Sequence, residues 1–251
     1  MVPDAGRRCD PLTVSDAVSR YLLGCEIVPP TTEGVAPVCE RLFRERGLPK
    51  ALRMDNGPPF ASAGASGLTR LAVGWIKLGI RLERIEPGCP QQNGRHERMH
   101  RTLKAETSQP PAQSPAEQQA RFDRFRKVFN EERPHEALEQ ATPASRYTSA
   151  SRPYPERIEE PWYDADHEVR RVRPDGTIKW RGEHVFICEA LAGEPVGLAA
   201  HEEGGWTVRF ADIPLGQITA EGQNFRRFVA PRPGRHKAAT TRDSVNHVPG
   251  S

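Results

Sequence analysis

Long apolar runs are missing from this chain of 251 residues. No stretch approaches the length needed to span a bilayer, and the N-terminus has no apolar signal-like segment, which argues against membrane insertion and secretion. Cysteine is scarce. Its five occurrences, at 9, 25, 39, 89 and 188, form no C-x-x-C pair and show no zinc spacing, so they read as reduced thiols of a cytosolic protein. A large excess of one charge is missing too: 36 Lys+Arg stand against 33 Asp+Glu, for a net charge of +3 and a pI near 8.7. That mild basicity is compatible with a nucleic-acid partner without establishing one. What is plentiful is proline, with 24 residues, which predicts many loops, short elements and extended joins. The length allows one medium domain and a small one.

Two apolar runs between Pro11 and Ile27, with Asp16 to Ser19 as a turn between them, predict a β-hairpin. Residues 31–46 read as a helix, with Thr32 as N-cap, a stripe of Val35, Val38, Leu42 and Phe43, and Gly47 as its close. Leu52 to Gly57 reads as a short strand that delivers Asp55 to its end and then turns, although Asp-Asn-Gly is also ordinary turn chemistry. A second helix is expected over 62–79. A half-buried strand is expected over 80–85, where apolar and polar residues alternate.

The stretch from Cys89 to Ala105 opens with loop chemistry and continues as a helix. Met99 and Leu103 share one face, while Glu97, Arg101 and Lys104 share another. One carboxylate among cations fits either a solvated helix of mixed charge or a metal-holding acid beside groups that grip a phosphate backbone. Residues 109–115 read as a linker. Phe122, Phe125, Val128 and Phe129 in the next helix could stack bases but have the spacing of a packed face. His135, after that helix, could touch a phosphate or hold its loop.

Residues 149–162 form a Ser/Pro/Arg-rich boundary. Beyond it, six short strand patterns, with Asp175-Gly176 and Gly204-Gly205 as hairpin turns, suggest a small barrel over 163–222. Arg170, Arg171, Arg173, Lys179 and Arg181 gather in its expected first hairpin, where a solvated face and a DNA-backbone contact are both open readings. A basic tail, expected to be disordered, occupies 223–251.

Met54-Asp55-Asn56-Gly57, then Pro90 to Lys104, then Phe129 to Leu138 with Thr142-Pro143, resemble in order the core of insertion-sequence transposases of the retroviral-integrase superfamily. The resemblance spans roughly residues 10–147 and implies an α/β, ribonuclease H-like core over 1–148, followed by an SH3-like β-barrel. It implies DNA cleavage and strand transfer by two Mg²⁺ ions (Mn²⁺ as substitute) about 4 Å apart, held by three carboxylates. The second of these is Asp55 and the third Glu97, 42 positions on. Asn93 and Gly94 match the flexible loop beside the acids, Lys104 a DNA contact, and Arg101 lies on the same face. Asp16 matches the strand turn and not an acid of the site. By the family's pattern the first acid precedes the hairpin, so the chain is expected to begin too late to contain it, with Asp4 and Asp10 as weak local substitutes. The implied partners are element-end and target DNA and further copies of the chain, in a bacterial cytoplasm at the nucleoid. The implied activity is DNA integration, impaired by the absent acid. The alternative is a non-catalytic DNA-binding remnant that competes with a full enzyme. A ribonuclease H-type nuclease would not explain the C-terminal module.

Overall fold

The computed structural model describes residues 10–85, 94–201, 204–220 and 224–228. Asp4, Asn93 and most of the expected tail lie outside them. The chain is mixed α/β. Its first half opens with the expected hairpin, β1 (Leu12–Ser15) antiparallel to β2 (Leu22–Glu26). Asp16 organises the turn: its Oδ1 accepts the Ser19 N–H and hydroxyl at 2.6 Å each, so this acid does backbone work.

Helix α1 (Thr32–Arg46) follows, capped by the side chain of Thr31 and not Thr32, because Thr31 is the extended residue whose oxygen faces the Gly34 N–H. Its expected stripe is buried throughout. Strand β3 (Ala51–Met54) pairs in parallel with β4 (Arg81–Arg84). Between them the expected single helix is two pieces, a 3-10 turn over Ala65–Gly67 and α2 (Arg70–Lys77), separated by extended Leu68 and Thr69. Thr69 caps α2 through its hydroxyl, so the polar residue that starts the real helix also excludes the longer one.

Helices α3 (Gly94–Thr107) and α4 (Pro115–Glu131) pack with β2 around Leu22, Cys25, Met99, Leu103, Phe122, Phe125 and Phe129. The aromatic stripe of α4 is core and no stacking platform. Helix α4 also serves the free edge of β2. Asn130, buried, accepts the Leu22 N–H (2.8 Å) and donates to the Leu22 carbonyl (3.0 Å). Gln119 does the same for the Ile27 N–H and Cys25 carbonyl, each at 2.9 Å. His135 is tied into its loop by a bridge to Ala141 and an edge-on contact with Phe129, so it holds the loop. A short helix, α5 (Pro143–Arg146), ends this half.

Residues 149–162 are strapped to the first half. Ala150 N–H bonds the Arg46 carbonyl, Leu48 N–H bonds the Arg152 carbonyl, and Arg44 lies over the Tyr154 ring. The last part contains β5 (His167–Arg171), β6 (Thr177–Trp180), β7 (Glu183–Phe186), β8 (Pro195–Ala200), β9 (Trp206–Phe210), β10 (Ile213–Ile218) and β11 (Phe225–Arg227). The sheet order is β11-β10-β9-β8-β5, with β6-β7 a separate hairpin, and no closed barrel is present among the described residues. Gly204-Gly205 does turn β8 into β9. Asp175-Gly176 does not make a β5-β6 hairpin, because β5 pairs with β8. The Gly176 carbonyl instead receives the Ile187 and Cys188 N–H groups. The expected first-hairpin basic cluster is therefore divided between two sheets.

Candidate active site

Asp55 follows the last residue of β3, as expected, and is exposed. Its Oδ1 accepts the Gly57 N–H at 3.0 Å, and Asn56 donates to the Ile85 carbonyl at 2.7 Å, which holds the ends of β3 and β4 together. Both readings of Asp-Asn-Gly thus hold at once: the turn bond fixes the loop, and the turn presents a carboxylate to solvent.

Glu97 stands in the first turn of α3 and is exposed, as are Arg101 and Lys104 one and two turns on. The opposite face buries Met99 and Leu103, so the amphipathic pattern alone orients the charged face outward. Gly94 opens the helix, with open space where a Cβ would stand. Asp55 lies within electrostatic reach of His96, the neighbour of Glu97 in the first turn of α3. Among the described residues, Asp55 and Glu97 belong to no group of three ligating side chains with mutually close atoms; such a group occurs at Asp164, Asp166 and His167.

Sequence reasoning missed what lies under this face. His96 and His100 are half-buried, and their Nε2 atoms lie 3.1 Å apart. Thr13 of β1 places its hydroxyl oxygen 3.0 Å from His96 Nε2 and 2.7 Å from His100 Nε2. Burial, and then the neighbouring His100, push the His96 imidazolium down to about 4, with Asp55 pulling weakly the other way. Burial also lowers His100, opposed by Asp10. The available signal was the four-residue spacing of the two histidines, which stacks them on one helix face.

A second unforeseen feature is basic. Arg20, in the β1–β2 turn with a left-handed φ of 66°, has its guanidinium pushed down by burial and then by the charges of Arg95 and Arg98. Arg20 thus lies within electrostatic reach of Arg95 and Arg98 in the first turn of α3. On the C-terminal sheet, by contrast, Arg170 pairs with Glu168 at 2.6 Å and also lies over Trp180, and Arg171 pairs with Glu160 at 2.9 Å. Lys179 is exposed on β6. The two arginines are engaged within the chain, which weakens their standing as phosphate contacts.

Residues 78–143 match the family model of the integrase core domain, a stretch that includes α3, Glu97 and α4. The insertion element IS407 uncharacterized 31.7 kDa protein of Burkholderia multivorans is 32% identical over 143 residues, covering 55% of this chain and 49% of that protein. The Gag-Pol polyprotein of gibbon ape leukemia virus is 38% identical over 84 residues, 32% of this chain and 5% of the polyprotein. The chain thus spans half or less of the curated relatives it matches. The catalytic core domain of BIV integrase superposes with a TM-score of 0.41 at 25% identity, covering 53% of this chain and 81% of that one. Over residues 78–143 the chain thus resembles the integrase core domain, and over about half its length an insertion-element protein.

Proposed function

We propose that this chain serves DNA transposition, with Asp55 and Glu97 as metal-holding acids of a phosphodiester-joining site. The reading rests on electrostatic reach between two elements: Asp55, at the end of β3, acts on His96, the residue before Glu97 in the first turn of α3. Both acids are exposed, so a hydrated ion can reach them. Oxygen-only donors suit Mg²⁺, which keeps most of its waters and takes one or two protein carboxylates, and Mn²⁺ is an acceptable substitute. Such an ion activates an attacking hydroxyl and stabilises a leaving oxygen. The chain's own part is to hold DNA there. Arg20, Arg95 and Arg98 supply crowded positive charge, with Arg101 and Lys104 along the same helix, and a phosphate backbone would relieve their mutual repulsion. Asn93 and Gly94, and secondarily Arg170 and Arg171 of β5 and Lys179 of β6, are further DNA contacts of the same proposal. The SH3-like architecture of that sheet, association with further copies, and a bacterial nucleoid location belong to the same proposal. Among the described residues no helix is long and apolar enough to cross a membrane.

The test is strand joining on a short duplex with a pre-cleaved end, in Mg²⁺ or Mn²⁺. Asp55→Asn and Glu97→Gln should each lower the rate about a hundredfold or more, since each removes part of several kcal/mol of charge stabilisation. Undiminished rates in both variants would sink the assignment. A second reading, DNA binding without catalysis, draws on the fact that Asp55 and Glu97 have no third ligating side chain beside them among the described residues. It predicts binding that weakens steeply with salt, with no joining in any metal.

A further inference from the structure

The pair His96 and His100 has no part in the chemistry proposed above, yet its geometry is that of a ligand set. The two rings stand one turn apart on α3 and bring their Nε2 atoms to 3.1 Å. Two imidazole nitrogens bound to one tetrahedral zinc, at about 2.0–2.1 Å each, lie about 3.3 Å apart. A third donor converges on them from another element, because the Thr13 hydroxyl lies 3.0 and 2.7 Å from the two nitrogens. A point about 2.1 Å from all three atoms lies about 1 Å off their plane, a normal facial position for an ion. The charges of Asp55 and Asp10 act on His96 and His100 respectively, opposing the effect of burial. An ordinary hydrogen-bond triangle would satisfy the three atoms. It gives no reason for two rings to converge on one hydroxyl.

We propose that His96 and His100, with the Thr13 hydroxyl, form a binding site for one borderline divalent cation such as Zn²⁺ or Co²⁺, between β1 and α3 and distinct from the carboxylate site for Mg²⁺. Nitrogen donors select such ions over Mg²⁺, which demands oxygen. Each ring binds through Nε2 and carries its proton on Nδ1. The ion would pin α3 to β1 beneath Glu97.

The experiment titrates the full chain with Co²⁺, followed by its d–d absorption, and with Zn²⁺ by calorimetry in a large excess of Mg²⁺. One equivalent should bind with a tetrahedral cobalt spectrum. His96→Ala and His100→Ala should each weaken it at least about tenfold, and His167→Gln, at the exposed acidic group, should leave it unchanged. Should the alanine variants unfold, the wild-type imidazole NMR signals decide, since Zn²⁺ must move those of His96 and His100 first. No binding in Mg²⁺ excess, binding that survives in the double variant, or loss in His167→Gln alone would each overturn the proposal. These readouts do not involve DNA, so their failure leaves the roles of Asp55 and Glu97 untouched, and failure of strand joining leaves this site untouched.

Discussion

The two halves of the chain hold their strands by different means. In the C-terminal half, five strands share one ladder, and Val196, Val208, Phe210 and Leu215 show no exposure at all. In the first half, the four strands among the described residues form two separate pairs, β1-β2 and β3-β4. Helices must therefore satisfy strand edges that a wider sheet would satisfy with strands. The proposed site falls on one side of this difference. In the half carrying Asp55 and Glu97, the edge of β2 is held by side-chain bonds from α4 and the strands are covered by several helix faces. Sites of binding and chemistry are commonly drawn from the less stable parts of a fold.

The sharpest way to break this contrast is Phe210→Ala. Removing a fully buried phenyl ring costs about 3–5 kcal/mol, a large part of the stability of a domain. The C-terminal core is not confined to its own strands, because Ala65, Leu68, Ala72 and Val73 belong to the same cluster. Hydrogen exchange should therefore show lost protection in β8 to β10 and in α2 together, with β2 changing least. Loss confined to the strands would show that α2 is only loosely attached.

The next largest effect is expected at Asn130, in the other half. Asn130→Ala leaves the Leu22 N–H and carbonyl without their partner, and stranding buried polar groups costs about 1–3 kcal/mol. Denaturant unfolding measures the loss, and faster exchange of the Leu22 amide should accompany it. Asn130→Asp, which keeps the acceptor but sets a buried carboxylate against the Leu22 carbonyl, should cost at least as much at neutral pH.

Much of this architecture was readable from local chemistry. The stripe of α1, the delivery of Asp55 by a short strand, the outward face of Glu97, Arg101 and Lys104, and the buried phenyl stripe of α4 follow from periods of 2 and 3.6 and from turn residues. What escaped is non-local. The Asp175-Gly176 turn reads as a hairpin because turn chemistry is local, but the partner of β5 is chosen by the sheet, which supplies β8. Asn130 looks like a helix-end residue until Leu22, 108 positions away, comes within reach. The meeting of Thr13 with His96 and His100 spans 83 and 87 positions, and no spacing rule connects a threonine in a strand to two histidines on a later helix. The split of the expected long helix was the exception: Thr69 is a cap residue in plain view, with its hydroxyl on the Ala72 N–H.

The smallest expected effect concerns the joint between the halves. Lys77, the last residue of α2, bonds Glu194, just ahead of β8, at 2.9 Å, with both side chains mostly shielded from water. A shielded pair is screened less than a surface pair, yet the desolvation of both charges offsets much of the attraction. Its value is therefore in fixing how α2 seats on the sheet more than in net stability. Lys77→Met, Glu194→Gln and the double variant should give a coupling of about 1 kcal/mol in denaturant unfolding, within the usual range for contacting residues. Because the pair is partly accessible, the coupling should shrink in high salt, but less than that of the exposed Arg44–Glu40 pair on α1. A coupling near zero would mean that the apolar contacts of Leu68, Ala72 and Val73 alone seat α2 on the C-terminal sheet, and the two halves would then be joined by packing without an electrostatic register.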